Sequence, residues 1–177
     1  MFDAITLRRE IGRLAREIVR VSSGLGPGLA GDGNLFTFAE SCTGGLVACS
    51  IAAAPGASKF FPGSVVAYSD RSKIERLSVT PETIERHGAV SGECAAEMAW
   101  GALELFDAAM AVSVTGIAGP SGGSLQKPVG TVWLALARGD GRVSLRRGSY
   151  GGCGRELVQL RAARSALRLI MTGLDEL

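Results

Sequence analysis

A chain of 177 residues with 46% hydrophobic content can bury one full core, and a net charge of +2 spread over scattered arginines gives no basis for nucleic-acid binding. No run of about 18 uncharged apolar residues occurs, and the amino-terminal segment lacks a signal-peptide core, so no membrane span is expected and the chain is placed in the cytoplasm. The cysteines Cys42, Cys49, Cys94 and Cys153 have no paired short spacing of the zinc or redox kind. Reduced thiols and no metal are expected, with Cys49 and Cys94 as core packing.

Residues 4–21 place Ile11, Leu14, Ala15 and Ile18 at helical spacing, with arginines elsewhere, and read as an amphipathic surface helix. The stretch 22–34, rich in glycine with one proline, excludes regular structure and reads as a loop. Residues 35–48 form an apolar run that stops at Glu40-Ser41-Cys42-Thr43-Gly44-Gly45 and resumes as a helical pattern, predicting strand, tight turn and helix. Such a step gathers unpaired backbone N–H groups that suit anions and oxyanions.

Leu46 to Ala54 continue that helix until Pro55-Gly56, and residues 60–69 read as a strand through their β-branched and aromatic content. A short helix follows over Asp70–Leu77. Thr80-Pro81-Glu82 supplies an N-cap and a proline at the first helical position of the next, which should close at His87-Gly88. Ser91 caps a helix whose inward face is Ala95, Met98, Ala99, Ala102, Leu103 and Phe106.

Ala108 to Thr115 is a strand-length apolar run, followed by a glycine-rich loop from Gly116 to Gly130. Residues 131–138 and 142–150 form a hairpin about Gly139-Asp140-Gly141, and 155–171 a last helix. The element order implies one α/β domain over 1–177, a three-layer α/β/α sandwich with a mixed sheet.

Only three of the 19 basic residues are lysine, Lys59, Lys73 and Lys127, and lysine alone among them can serve as a base when desolvated. The lone histidine, His87, stands at a helix end before a capping glycine and reads as structural, so a serine–histidine–acid triad is disfavoured. Lys73 lies one turn beyond Tyr68, and a strand end could present both into one cleft. Ser41 is open to two readings, helix cap or nucleophile. Cys42 is a rival nucleophile, though about one hundred degrees of helix rotation separates neighbouring residues and favours it for the core. Gly44-Gly45 matches no Walker sequence and no Gly-x-Gly-x-x-Gly occurs over Gly116–Gly123, so neither simple ATP nor dinucleotide binding is supported. Lys127 is equally a phosphate contact or an exposed loop charge.

Three stretches together resemble the C-terminal domain of the CinA (competence/damage-inducible) family, whose members include nicotinamide-nucleotide amidohydrolase. They are Ala39-Glu40-Ser41-Cys42-Thr43-Gly44-Gly45, then Phe61 to Lys73 with Tyr68-Ser69, then Ser113 to Pro120 with Gly122-Gly123 and Lys127-Pro128-Val129-Gly130. The resemblance implies a serine, tyrosine and lysine at Ser41, Tyr68 and Lys73 that deamidate nicotinamide mononucleotide to nicotinate mononucleotide and ammonia, with no cofactor. It implies oxyanion and substrate contacts at Thr43, Gly44, Gly45, Thr115, Gly116, Gly119, Gly122, Gly123 and Lys127. It also implies a stand-alone form without the family's amino-terminal molybdopterin-binding-like domain. The expected partner is a small nucleotide substrate, with no nucleic acid and no membrane, and the size and apolar helix faces favour a homo-oligomer.

Three places depart from the family pattern, one of them the insertion at 22–34, which is longer than usual. Asp70 stands where asparagine is expected, adding a negative charge that favours the charged form of Lys73. The segment Tyr150 to Arg155 is one residue longer than the expected Phe-x-Gly-x-Arg, which puts a phosphate contact from Arg155 in question. The alternative to an amidohydrolase is a non-catalytic nucleotide-binding or regulatory module in which Asp70 holds Lys73 protonated.

Overall fold

The computed structural model describes residues 3–25 and 35–177. Its sheet follows the order β2-β1-β3-β4-β5, with β1 (Phe36–Glu40), β2 (Ser64–Val66), β3 (Met110–Gly116), β4 (Thr131–Arg138) and β5 (Val143–Ser149). β1 pairs in parallel with both β2 and β3, whereas β4 and β5 run antiparallel, so the sheet is mixed as expected.

Among the described residues six α-helices cover it: α1 (Ala4–Gly24), α2 (Leu46–Ala52), α3 (Asp70–Leu77), α4 (Pro81–His87), α5 (Gly92–Phe106) and α6 (Gly154–Asp175). α1, α2 and α6 pack together on one face, and α5, carrying α3 and α4, covers the other. The connection from β1 to β2 thus uses one face and that from β2 to β3 uses the other. The chain's direction switches at β1, and the crevice for a ligand lies outside the carboxyl ends of β1 and β3.

Composition separates the two cores. On the α1/α6 side Phe36 and Phe38 meet Met110, Val112, Val114 and the helix leucines. Phe61 joins them, its ring stacked on Phe36 with centroids 6.0 Å apart. On the α5 side the sheet offers Ala39, Ala111, Ala135 and Ala137 to Ala95, Met98, Ala99 and Ala102. Small residues on both partners let this helix lie close, and the Ser113 hydroxyl donates to the Ala95 carbonyl at 2.5 Å.

Local signals placed the helix starts well. Ser69, Thr80 and Ser91 accept from the amides of Ser72, Thr83 and Cys94, and Pro81 opens α4, which ends at Gly88 with φ of 73°. Three expectations change. The loop expected from residue 22 starts later, because Ser22 and Ser23 donate to the carbonyls of Ile18 and Val19 and complete α1; residues 26–34 lie outside the described residues. The strand expected over 60–69 shrinks to Ser64–Val66, since the Phe60 carbonyl accepts from the Leu35 and Phe36 amides and Phe61 turns into the core. Cys49 is exposed on the short α2 and is no core residue, while Cys94 is buried.

One close approach seats the helix that carries Lys73. A Cβ on Gly101 of α5 would lie 2.0 Å from the Leu77 carbonyl oxygen at the end of α3, so only glycine admits this contact. Gly101→Ala is expected to destabilise the fold by about 3 kcal/mol through backbone overpacking, read as a lower urea midpoint with the slope unchanged.

Candidate active site

Ser41 stands one residue past β1, its amide donating to the Val114 carbonyl at 2.9 Å, so the ladder with β3 runs on through it. Strand alternation therefore holds at this end. Ala39 belongs to the α5-side core, Glu40 reaches α2 on the opposite face, and Cys42 returns to the α1/α6-side core. Ser41, between Glu40 and Cys42 and only 7% exposed, continues the Ala39 face towards α3 and α5. Extended alternation, rather than helix rotation, separates Ser41 from Cys42.

Neither alternative reading of this turn survives the geometry. The N-cap of α2 is Gly45, with φ of 96° and no side-chain cap, so Ser41 is no helix cap. Burial pushes the Cys42 thiol up to about 12, with the Glu40 charge acting in the same direction, so Cys42 is a thiol at neutral pH.

The amino end of α2 is taken by Glu40. Its carboxylate, fully buried, accepts from the amides of Gly45 at 3.0 Å, Val47 at 3.1 Å and Ala48 at 2.8 Å. Burying a carboxylate costs several kcal/mol; hydrogen bonds to a charged group contribute about 1.5–3 kcal/mol each, enough for three to offset it. This changes the expected oxyanion donors. Gly45 donates to Glu40 and Gly44 to the Ser41 carbonyl at 3.0 Å, leaving the Thr43 amide as the one of the three with no acceptor among the described residues. The Thr43 hydroxyl is likewise buried without a partner, and the residue lines a cavity of about 420 Å³ among α1, α2 and α6.

Lys73 is the most unusual side chain in the molecule. Ser69 and Ser72 form a reciprocal capping box that starts α3, and the helix turns Lys73 and Leu77 inward together. Lys73 is 1% exposed. Its Nζ donates to the Tyr68 carbonyl at 3.3 Å and lies 3.9 Å from Asp70 Oδ1, whose carboxylate is half in solvent. Burial drives the Lys73 amine below its ordinary value, against the opposing influence of Cys94, Asp70 and Cys42. The Asp70 charge thus fails to reverse the effect of burial.

The Lys73 amine is brought to the Ser41 turn by β2. The Ala67 amide donates to the Glu40 carbonyl at 2.8 Å, so the strand pair continues past Val66 and sets Ala67 and Tyr68 beside that turn. No hydrogen bond joins Lys73 Nζ to Ser41 Oγ among the described residues.

Other expected contacts are distributed differently. Tyr68 meets Lys73 through its carbonyl, while the residue is 57% exposed and its hydroxyl accepts from Arg155 Nη2 at 2.6 Å. Arg155 Nη1 donates to the Gly119 carbonyl at 2.7 Å, so the guanidinium that the altered 150–155 segment put in question spans Tyr68 and the glycine loop. Thr115 is buried with its hydroxyl donating to the Ala89 carbonyl, and Lys127 Nζ donates to the His87 carbonyl at 2.6 Å. Gly116 ends β3 opposite Val132. Gly119, at φ of 82°, and Gly123 are pressed on Val129, where an added Cβ would lie 2.5 and 2.7 Å from it, and Gly122 is exposed. These glycines first serve the packing of their own loop.

Sequence reasoning passed over Glu40 and Gln159. An acid just before a helix start was a readable signal for the first. Gln159, whose Nε2 donates to the Cys42 carbonyl at 2.9 Å, gave none, because 117 positions separate the pair. Among the described residues no group of three or more His, Cys, Asp or Glu side chains could hold a metal ion, and no helix is long and apolar enough to cross a membrane.

Comparison with known proteins gives one family. The CinA C-terminal domain matches residues 20–174. The chain is 48% identical over 138 residues to a CinA-like protein of Fervidobacterium nodosum, covering 78% of this chain but only 33% of that one. It is 45% identical over 153 residues to the nicotinamide-nucleotide amidohydrolase PncC of Enterobacter agglomerans, covering 86% of this chain and 93% of that protein. The crystal structure of a competence/damage-inducible protein from Agrobacterium tumefaciens superposes with a TM-score of 0.86 at 40% identity, covering 94% and 96% of the two chains.

Thiol reactivity follows from the burial pattern. Iodoacetamide at pH 8 is expected to alkylate exposed Cys49 and to spare Cys42 and Cys94, whose thiols burial pushes up to about 12 and about 11. Peptide mass spectrometry after timed labelling checks the order.

Proposed function

The chain belongs to the CinA C-terminal domain family, and we propose that it is an amidohydrolase that converts nicotinamide mononucleotide to nicotinate mononucleotide and ammonia. The observation that carries this reading is the buried amine of Lys73, held by a carbonyl and lowered by desolvation, at the turn that bears Ser41. The relative named as the amidohydrolase, matched over almost its whole length, supplies the substrate.

In the proposed reaction neutral Lys73 takes the proton of Ser41 as its oxygen attacks the carboxamide carbon. The Thr43 amide stabilises the oxyanion. Collapse breaks the C–N bond, and the amine leaves as ammonia with the proton that Lys73 returns. Water, deprotonated by Lys73, then attacks the seryl ester; Lys73 returns that proton to the departing Ser41 oxygen and the product leaves as the carboxylate. Tyr68 orients Lys73 through its carbonyl. Arg155, bound to the Tyr68 hydroxyl and the Gly119 carbonyl, is the cation placed for the substrate phosphate beside the 116–123 loop. The serine–lysine hydrogen bond closes when substrate enters, as catalytic contacts in unliganded enzymes often do.

Asp70 at 3.9 Å from Lys73 favours a second reading, a nucleotide-binding module without turnover. Two experiments separate them. Ammonia release from nicotinamide mononucleotide is expected and falls at least about a thousandfold in folded Ser41→Ala and Lys73→Ala. Saturable binding with no ammonia between about pH 6 and 10, and no acyl adduct on Ser41 by mass spectrometry, would favour the binding module.

The pH profile tests the base. Activity requires neutral Lys73, so kcat/KM rises with pH along a limb below the ordinary lysine value of about 10.4. Asp70 opposes the lowering, and its removal lowers the amine further. Asp70→Asn is therefore expected to move that limb to lower pH; a limb that stays in place would remove Lys73 as the titrating group.

A further inference from the structure

We propose that Glu40 is a positioning residue for the reaction at Ser41, its buried carboxylate fixing the peptide that carries the nucleophile to the amino end of α2. The rate measurement below rests on the amidohydrolase reading; the labelling measurement does not.

The Glu40–Ser41 peptide is tied on three sides. The Glu40 carbonyl accepts from the Ala67 amide beyond β2, the Ser41 amide donates to the Val114 carbonyl of β3, and the Glu40 side chain reaches α2. Only the third tie runs through a side chain. All three of its donors are backbone N–H groups, so the site takes a side chain that accepts at both oxygens. Glutamine of the same length would turn an NH2 group towards an N–H.

This is unlike an ordinary helix cap. An ordinary cap comes from the residue before the helix, and here that residue is Gly45, which has no side chain. The carboxylate arrives from five positions upstream, out of the strand, and its bond to the Gly45 amide closes the Ser41–Gly44 turn into a ring. Within the ring the Gly44 amide donates to the Ser41 carbonyl, and from just outside it the Leu46 amide donates to the Thr43 carbonyl. The turn thus carries its own brace, on the sheet face opposite to Ser41 and out of contact with α3. The same bonds occupy α2 amides that would otherwise attract anions, which leaves the Thr43 amide as the oxyanion donor and Arg155 as the anion contact.

The test compares the parent with Glu40→Gln, and with Glu40→Asp, which keeps the charge but withdraws it by one methylene. Misplacing a nucleophile by about 1 Å costs on the order of a hundredfold, so kcat on nicotinamide mononucleotide is expected to fall by about that factor with KM changed less than about twofold. The rate at which a fluorophosphonate probe labels Ser41 falls in parallel, while urea unfolding reports stability separately. Folded variants that keep kcat and labelling within about threefold of the parent, or that raise KM alone, overturn the proposal. So does loss of folding in both variants, which assigns Glu40 to stability. A parent labelled at Ser41 that releases no ammonia sinks the substrate reading, and labelling rates alone then decide the role of Glu40. A parent neither labelled nor active overturns both.

Discussion

Strand alternation at the carboxyl end of β1 organises everything built on it. Because Ser41 still pairs with β3 through its amide, consecutive side chains from Ala39 to Cys42 leave the sheet on opposite sides. The α2 side receives an acid and a thiol, the α5 side a serine. One residue of register slip would exchange these roles and send Glu40 into the alanine-lined core. The aromatic cluster of Phe36, Phe38 and Phe61 holds that register, since those rings fill only the deeper α1/α6 side.

The Lys73 environment is a balance of two effects, and burial is the larger. An exposed acid near an exposed lysine would simply keep it charged. Here the amine is buried and held by the Tyr68 carbonyl, while Asp70 is half in solvent and screened by it. The enclosure depends on the close contact of Gly101 with Leu77, so a glycine with no chemistry of its own shapes the amine's surroundings.

The first and last helices, α1 and α6, pack against each other, and Glu10 accepts from Arg168 Nη2 at 2.5 Å. α6 begins where Arg155 reaches Tyr68 and Gly119, and one turn later Gln159 holds the Cys42 carbonyl. Three loops from distant parts of the sequence are thereby tied to one helix end. The 150–155 segment makes a turn in which Cys153 Sγ donates to the Tyr150 carbonyl at 2.8 Å, just before the arginine.

Much of this was legible from local chemistry. Caps at Ser69, Thr80 and Ser91, the Pro81 start, the hairpin at Gly139–Gly141 and the period of α5 are written within a few residues, and such signals do not depend on distant partners. Few lysines and one histidine narrowed the candidates for a base, and the family resemblance pointed to Ser41, Tyr68 and Lys73. What the linear pattern could not contain was which groups spend their hydrogen bonds elsewhere. Gly44 and Gly45 are engaged locally, Lys127 rests on the His87 carbonyl, and Cys49 faces outward on a helix too short to bury all its sides. The sequence by itself therefore determined most of the elements and their order, since propensity and capping act over a few residues. Tertiary structure alone decided that Lys73 is desolvated, that Glu40 closes the Ser41 turn and that Arg155 reaches Tyr68, because burial and long-range hydrogen bonds exist only once the two faces of the sheet are covered.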